Sequence, residues 1–427
     1  MILRAWGLVA VLTAIVAVSS ADRAQAQSAW PQIGYNPEHT GYNPQEVILT
    51  KANVPNLVTS GLFATGGQII DQPVVADGVA YVNSTDGNLY AFDLAAKKIK
   101  WQFYSYGNMD APTGVILWSN KAVLVTCEID TKHWGLCSLD PATGKLQWSF
   151  ADLDPNQQVA PGAPPVIAGN VVYYREDRTY GYWLYALNAK TGAILWTFGQ
   201  CQDDGVCIHL GSSPPALLNG MVYLGCSGGD SFEITVSGGV CAINASNGQL
   251  VWQRLTPGDY SGRLVAAGGY VYVSTTNGTC CDPHPTVVTA INGAHGGVLW
   301  SETVTDPGTS PTGPPAFKSG KLYVPVNGNP GLIALNATTG KQLWAVPANV
   351  HSQQTPTVAG PDASGGVIFL GCSPSNAICA FNAGTGETLW QSSYNRRGDS
   401  PAPAVTNGTV YGVCNFNNLC LWTPKTK

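Results

Sequence analysis

Short apolar stretches alternate with turn residues along the chain, and beyond the first 30 residues no segment shows a helical period. The region from 163 to 197 is typical. Apolar, β-branched and aromatic residues fill 163–167, 171–174, 183–187 and 193–197, with small or turn-forming residues in the turns. Runs of this kind predict β-strands, so the pattern indicates a chain built from four-stranded units.

An eleven-residue phrase recurs in seven copies, each running from a small residue through Asp or Asn to Trp. The tryptophans lie 44 to 56 residues apart, a period typical of a propeller or a solenoid. They are Trp101, Trp148, Trp196, Trp252, Trp300, Trp344 and Trp390. In six copies a Gly stands four residues before the Trp, where a hairpin needs positive φ. We expect each Trp to fill the gap between neighbouring sheets and not to stack on a cofactor.

The two ends of the chain supply one further unit. Residues 402–422 read as three strands, and 56–63 reads as a single fourth strand, with Phe63 near the place of a blade Trp. Pairing these ends leaves no open sheet edge. The sequence therefore predicts an all-β fold: an eight-bladed β-propeller of four-stranded antiparallel blades, closed by its N- and C-terminal strands. An open, solenoid-like stack is the alternative.

The first 26 residues have the features of a secretory signal peptide. Arg4 precedes an apolar run over 8–18, and Ala24-Gln-Ala26 is a small-x-small cleavage site. A single-pass anchor is the alternative, but the run is short for a membrane span, and no cysteine follows closely enough for lipidation. We expect residues 1–26 to be a signal peptide, 27–55 an N-terminal extension and 56–427 one propeller domain. The expected location is secreted or periplasmic, without a membrane span and as a monomer.

The charge of the chain narrows the class of partner. The formal net charge is -5, only 11% of residues are charged, and basic clusters are lacking. An acidic balance of this kind argues against nucleic acid or an anionic membrane as the main partner.

The twelve cysteines are even in number, as expected of an exported protein with disulfides. Four pairs fall where the second strand of a unit ends and the third begins: Cys127 with Cys137, Cys226 with Cys241, Cys372 with Cys379, and Cys414 with Cys420. Cys201 and Cys207 bracket a short loop. Cys280 and Cys281 are adjacent, either as a vicinal disulfide or as free thiols. We interpret the cysteines as structural links.

The repeated phrase resembles the blade signature of the pyrroloquinoline-quinone (PQQ)-like propeller repeats, and residues 30–44 are similar to the segment that often precedes their first blade. The resemblance covers residues 30–422 and implies an eight-bladed propeller. It implies no single activity, because the repeat is shared by quinoprotein dehydrogenases and by non-enzymatic binding propellers, including an outer-membrane assembly lipoprotein. Function therefore has to be argued from the site.

The resemblance to quinoprotein dehydrogenases implies a PQQ held against a vicinal disulfide and a Ca²⁺ ion. Cys280-Cys281 is adjacent as in those enzymes but lies later in the chain, and Asn329 would be the carried-over calcium ligand unless its segment is an ordinary turn. No stacking-Trp segment, calcium glutamate or catalytic Asp motif is identified. The first prediction is therefore a binding or scaffold propeller without catalysis and without a cofactor. The alternative is a PQQ- and Ca²⁺-dependent alcohol or sugar dehydrogenase with a divergent site.

Polar residues collect in the segments that lead into the innermost strands, which line the central funnel of a propeller. The candidate ligand-binding residues are Asp71, Asp110, His209, Arg263, His351, Gln354, Arg396, Arg397 and Asp399. They predict a small polar ligand or a protein partner at the funnel. The alternative is that these residues only form the solvated rim of the channel and bind nothing. A lyase or isomerase using these groups is a third possibility. The charged run 175–178 is interpreted as a surface loop.

Overall fold

The computed structural model describes most of the chain from residue 29 onward. The described ranges are 29–105, 114–118, 121–130, 133–152, 159–178, 181–199, 206–211, 213–230, 237–256, 263–276, 285–305, 310–311, 313–327, 331–347, 355–361, 365–372, 377–392 and 401–425. The predicted signal peptide lies outside them. Within these ranges no helix is both long enough and apolar enough to span a bilayer.

The described residues form strands joined by turns, with one short 3-10 helix at Val54–Asn56. The first half of the strands are β1 (Leu57–Ala64), β2 (Val74–Ala76), β3 (Val79–Asn83), β4 (Asn88–Asp93), β5 (Lys98–Tyr104), β6 (Val115–Trp118), β7 (Ala122–Glu128), β8 (Trp134–Leu139), β9 (Leu146–Phe150), β10 (Val159–Ala168), β11 (Val171–Arg178), β12 (Gly181–Asn188), β13 (Ile194–Phe198), β14 (Val206–Leu210), β15 (Ala216–Leu218), β16 (Met221–Asp230), β17 (Ser237–Asn244) and β18 (Leu250–Leu255).

The second half are β19 (Arg263–Ala267), β20 (Tyr270–Thr276), β21 (Thr286–Asn292), β22 (Val298–Thr303), β23 (Ser310–Pro311), β24 (Ala316–Lys318), β25 (Lys321–Asn327), β26 (Leu332–Asn336), β27 (Gln342–Val346), β28 (Thr357–Ala359), β29 (Val367–Cys372), β30 (Ala377–Asn382), β31 (Thr388–Gln391), β32 (Ala404–Thr406), β33 (Thr409–Cys414) and β34 (Asn418–Pro424).

These strands form eight antiparallel sheets, the blades of a closed propeller. Blades 1 to 7 are β2–β5, β6–β9, β10–β13, β14–β18, β19–β22, β23–β27 and β28–β31, and in blades 4 and 6 the innermost strand is split in two. Blade 8 is β32, β33, β34 and then β1, so the strand from the start of the chain completes the last sheet. The predicted eight-bladed, all-β propeller with paired ends is confirmed.

The core lies between the sheets. Each of eight buried apolar clusters joins two neighbouring blades, and the cluster containing Phe63 and Phe92 joins blade 8 to blade 1. The ring is thus held by the same kind of apolar contact at every junction, including the one where the chain ends meet.

The blade tryptophans fill these junctions as predicted. The Trp196 indole donates to the Ala245 carbonyl of the next blade at 2.9 Å, and Trp252 donates to Gly293 at 2.9 Å. A Cβ on Gly248 of the next blade would lie 2.6 Å from Cε3 of Trp196. Two features therefore favour glycine at this turn position: its φ of +75°, and the indole ring that lies beneath it.

The closing blade departs from the repeat. Gly61, not Phe63, lies opposite Leu421 at the register position that Trp takes in the other blades. The expectation that Phe63 replaces the Trp is therefore wrong; Phe63 packs on Phe92 instead, at 5.0 Å between ring centroids. Without an indole at this position, the turn of blade 1 has no ring to accommodate, and Lys97 stands where six other turns have Gly, with a φ of +53°.

Four predicted disulfides are present, and each joins the second and third strands of one blade: Cys127–Cys137, Cys226–Cys241, Cys372–Cys379 and Cys414–Cys420. Cys201, Cys280 and Cys281 lie outside the described residues, and Cys207 is described only by its backbone in β14. The pairing of these four stays a prediction.

The described part of the N-terminal extension crosses the end of the ring at which the innermost strands finish. Among the described residues it bonds to the innermost strands of seven blades, at Val75, Ile167, Leu217, Ala266, Phe317, Val358 and Val405. Trp30 exchanges two backbone bonds with Val75, and Asn43 donates from its side chain to Val405 at 2.9 Å. These bonds satisfy the inner edges of strands that have no neighbour on the channel side.

Candidate functional site

The two ends of the central channel differ. The extension lies across the end where the innermost strands finish, while the opposite end, where these strands begin, is the funnel of the sequence prediction. Polar groups at the funnel are therefore the first candidates for ligand binding.

Asp71 is the predicted funnel residue whose side chain is described. It precedes β2, is 8% exposed, and accepts a hydrogen bond from Asn83 Nδ2 at 3.4 Å. The neighbouring Gln72 is 2% exposed and links three parts of the ring, because its Oε1 accepts from Gly34 N and its Nε2 donates to Thr357 and Pro403. Gln72 is thus a structural link between the extension and blades 1, 7 and 8.

The other predicted residues are placed only in part. His209 lies in β14 opposite Ser227, and Arg263 begins β19 opposite Ser274, with backbones alone described. Asp110, Asn329, His351, Gln354, Arg396, Arg397 and Asp399 lie outside the described residues. That these groups converge on one ligand stays a prediction.

The described funnel side chains with the most unusual environment belong to the charged run 175–178. These four residues are the last four of β11, paired to the start of the innermost strand β10, and are not the surface loop that the sequence suggested. Alternation along the strand sends Glu176 and Arg178 toward blade 2, and Arg175 and Asp177 toward blade 4. The signal in the sequence was the unbroken continuation of an apolar strand into the charged residues, facing a partner strand rich in aromatic rings.

Arg178 is the centre of the group between blades 2 and 3. Its Nη2 contacts Asp152 and the Tyr185 hydroxyl and lies 3.4 Å from Glu176 Oε2. Its guanidinium carbon lies 4.8 Å from the centroid of the Trp183 ring, a cation–π distance. One guanidinium thus holds two carboxylates and a phenol at the funnel end of a blade junction.

Arg175 forms a simpler group on the other face of the blade. Its side chain is 2% exposed, its Nη2 pairs with Asp177, and its guanidinium carbon lies 5.1 Å from the Tyr182 ring centroid. One positive and one negative charge balance here, which is typical of a structural ion pair.

Glu176 is fully buried, and burial raises its pKa to about 8 even though Arg178 favours the charged form. Among the described residues, its Oε1 and the Nε of Arg178 have no hydrogen-bond partner. One guanidinium faces the carboxylates of both Asp152 and Glu176, so the described side chains of this group carry one excess negative charge when both are ionised. A proton or a bound cation on Glu176 balances it.

The oxygen atoms of this group are of the type that binds a hard metal ion. The described residues contain no group of three or more His, Cys, Asp or Glu side chains placed to hold an ion. Glu176 Oε1 is nevertheless a buried carboxylate oxygen without a hydrogen-bond partner among the described residues, and its carboxyl shares the Arg178 charge with Asp152, while Ca²⁺ takes oxygen ligands. Glu176 therefore offers one oxygen that fits a ligand position of a calcium ion.

Comparison with known proteins identifies the family. The family model described as outer membrane protein assembly factor BamB matches residues 62–150, 113–286 and 284–426. The chain belongs to this family of PQQ-type repeat propellers. The resemblance drawn from the repeated phrase is thereby confirmed.

Curated relatives of the chain include bacterial quinone-dependent alcohol dehydrogenases, a hydroxylase and a tetrathionate hydrolase. It is 30% identical over 215 residues to lupanine 17-hydroxylase [cytochrome c] of Pseudomonas sp, covering 46% of this chain and 30% of that protein. It is 27% identical over 258 residues to the dehydrogenase subunit of alcohol dehydrogenase (quinone) of Gluconobacter oxydans (strain 621H), covering 53% and 30%. The chain thus spans less than a third of the length of these two relatives.

The fold matches solved structures of the same class. The quinohemoprotein alcohol dehydrogenase ADHIIG of Pseudomonas putida HK5 superposes with a TM-score of 0.68 at 15% identity, over 94% of this chain and 81% of that one. At this identity the match shows the fold alone.

These relatives overturn the first functional prediction. The prediction of a binding or scaffold propeller without catalysis is wrong, because the curated relatives include several quinoprotein dehydrogenases. The expectation that no cofactor is needed is not supported either, since proteins of that class use a quinone. The family description alone does not distinguish a binding propeller from a quinoprotein dehydrogenase, because one fold can host both functions.

Proposed function

We propose that the protein is an oxidoreductase of the quinoprotein dehydrogenase type, acting on an alcohol at the funnel end of the propeller. The similarity to quinone-dependent alcohol dehydrogenases supports the class of reaction. The observation that carries the proposal to this chain is Glu176, a buried carboxylate with one oxygen free of partners at that end of the ring.

In this proposal Glu176 is a calcium ligand, and Arg178 positions both Glu176 and Asp152. A bound PQQ would supply the oxidant that takes up the two electrons and two protons released as an alcohol becomes an aldehyde, and Ca²⁺ would supply Lewis acidity. Glu176 must lose its proton to bind the ion, so metal binding and proton release are coupled at this side chain. The predicted funnel residues, Asp71 among them, are proposed as the surroundings of the substrate.

We also propose that the protein is exported from the cytoplasm. Four disulfides among the described residues fit an oxidising compartment such as the periplasm. We retain as proposals the division into a signal peptide over 1–26, an extension over 27–55 and a propeller over 56–427, together with a secreted or periplasmic location. A mass spectrum of the exported protein tests it, because cleavage after Ala26 leaves Gln27 at the N-terminus.

The decisive experiment adds PQQ and CaCl₂ to purified protein and measures reduction of an artificial dye by a series of primary alcohols and sugars. We expect turnover that requires both additions and is lost with a chelator. The Glu176→Gln variant should lose turnover, whereas Glu387→Gln, the same change at an exposed turn, should retain it. Absence of both quinone binding and turnover across the series would remove the proposal.

A readout without the quinone separates metal binding from chemistry. At a pH near 7, Ca²⁺ alone should raise the midpoint of thermal unfolding of the wild-type protein, because a ligand that binds only the native state stabilises it. The shift should be lost in Glu176→Gln and kept in Glu387→Gln. An equal shift in all three proteins would place the ion elsewhere.

A further inference from the structure

A second cavity lies at the opposite end of the ring from the funnel. It has a volume of about 390 Å³ and is formed between the N-terminal extension and the innermost strands of blades 4, 5 and 6. Its lining includes Tyr35, Glu38 and Tyr42 from the extension, and Ala266, Phe317 and Lys318 from the blades. A volume of this order is that of a small-molecule site.

The walls of this cavity are held in place by a second layer of contacts. Tyr35 packs edge-on against the buried Trp30, with ring centroids 5.2 Å apart. Phe317 stacks on Tyr272 at 5.9 Å and an interplanar angle of 16°. The aromatic faces are therefore pre-organised, and a ligand would not have to order them.

Glu38 supplies the anionic group of the cavity. The backbone is anchored on both sides of its side chain, because Pro37 O accepts from Leu217 N at 2.8 Å and Glu38 O accepts from Ala266 N at 3.0 Å. Partial burial raises the pKa of its carboxyl, and no Lys, Arg or His of the described residues forms an ion pair with it. A partly buried carboxyl in a cavity that is also lined by aromatic rings matches an organic ammonium group, because negative charge and aromatic faces both attract a cation.

Lys318 limits what such a ligand can be. Its ammonium is buried, donates to the Gly360 carbonyl at 2.7 Å and lies 4.8 Å from the Tyr42 ring centroid. A positive charge already lies at this wall, so a ligand with a second cationic group would be repelled. The ligand that matches both walls has one ammonium group and a flat apolar body.

We propose that this cavity is a binding site for an arylalkyl monoamine, with the ammonium on Glu38 and the ring among Tyr35, Phe317 and Ala266. The site is separate from the funnel, so this proposal does not depend on the proposed oxidoreductase activity. Its position between the extension and three blades means that occupancy would also hold the extension against the ring.

The test compares phenethylamine with 2-phenylethanol, a neutral molecule of nearly the same shape, by isothermal titration calorimetry without quinone. We expect the amine to bind about tenfold more tightly than the alcohol, the difference that one partly buried ion pair gives. Glu38→Gln should remove this preference, Glu38→Asp should keep most of it, and Glu387→Gln should leave it unchanged.

Three results would overturn the proposal. They are failure of phenethylamine to bind at millimolar concentration, equal affinity for the amine and the alcohol, and an amine preference that survives Glu38→Gln. Binding that depends on Glu176 instead of Glu38 would assign the amine to the funnel and also exclude this site. Unfolding midpoints of the variants establish that each is folded before titration.

Discussion

Two separate constraints favour glycine in the turns of the blades: a positive φ, and the close approach of a tryptophan ring from the preceding blade. Gly220 and Gly248 allow the two to be compared. Gly220 and Gly248 both have a φ of +75°. A Cβ on Gly220 meets nothing within 4 Å, whereas one on Gly248 would lie 2.6 Å from the Trp196 ring. The first position carries only the cost of positive φ, and the second adds a steric clash with the preceding blade.

We predict that Gly248→Ala destabilises the protein more than Gly220→Ala. The shared φ cost is about 1–2 kcal/mol, and the clash adds about 1–3 kcal/mol at Gly248. Urea unfolding of the two variants and the wild type measures the difference directly. Equal losses of free energy of unfolding would mean that Trp196 moves aside freely, against its assigned role in the junction.

Glu176 gives the stability of the protein a specific dependence on pH. Its pKa is raised from the model-peptide value of 4.5 to about 8 in the folded protein, mainly by burial. Between these two values the native state holds a proton that the unfolded chain has lost, so stability falls as pH rises across that interval. The contribution is fully present below the lower value and is lost above the higher one.

We therefore predict that Glu176→Gln, which has no carboxyl to ionise, loses less stability than the wild type between pH 5 and pH 8. The limiting slope of the difference is about 1.4 kcal/mol per pH unit for one proton. Urea unfolding without added calcium measures it. Titrating groups that do not interact with Glu176, such as the buried His39, whose pKa burial lowers to about 4, cancel in the comparison. Parallel pH profiles would show that Glu176 ionises normally.

At the scale of elements, the N-terminal extension joins blades that share no strand. Glu46 is 1% exposed, and its two oxygens accept from three backbone amides. Oε1 accepts from Ile48 and Leu49 within the extension at 2.8 and 2.9 Å, and Oε2 accepts from Gly408 of blade 8 at 2.8 Å. This single carboxylate fixes both the shape of the extension and its attachment to the closing blade.

We predict that Glu46→Gln destabilises the protein by about 2–3 kcal/mol. An amide has one accepting oxygen, so its NH₂ group must face a backbone N–H on one side and leave that donor buried without a partner. Chemical unfolding provides the measurement, and Gln45→Glu at the exposed neighbouring position is the control for a change of charge. A loss below about 0.5 kcal/mol would contradict the attachment.

At the scale of the molecule, closure depends on β1 pairing with β34. The described disulfides each link strands within one blade, so none of them joins the two ends of the chain. Val58 and Thr423 are direct partners across this closing pair, and Val58 is 43% exposed. They provide a place to lock the ring covalently.

We predict that the oxidised Val58→Cys, Thr423→Cys double variant has a higher midpoint of thermal unfolding than its reduced form. The link closes a loop of almost the whole propeller and so lowers the conformational entropy of the unfolded chain. For a loop of this length the chain-entropy model gives a stabilisation of more than about 4 kcal/mol, and engineered disulfides usually reach less than the model value. The single variant Val58→Cys controls for the substitution. If mass spectrometry shows the disulfide and the midpoint does not change, separation of the chain ends does not limit unfolding.

The sequence by itself determined the architecture, because the repeat encodes a local physical unit. Strand, turn, small residue and Trp recur with one period, and a unit split between the two ends leaves a ring as the closed solution. The disulfides within blades were predictable for the same reason, since their cysteines lie near each other on adjacent strands of one unit, offset by two residues from direct strand partners. A local pattern is sufficient where the contacts are local.

Tertiary structure decided everything that depends on which side of a sheet a residue faces and what lies beyond it. The run 175–178 looked like a loop, yet alternation in β11 buries Arg175 and Glu176 at two different blade junctions. Gly61 and Lys97 break the repeat together, because the indole missing from one blade removes the constraint on the next. Contacts across the ring, such as that of Glu46 with Gly408, join residues far apart in the chain, and no periodicity in the sequence records them.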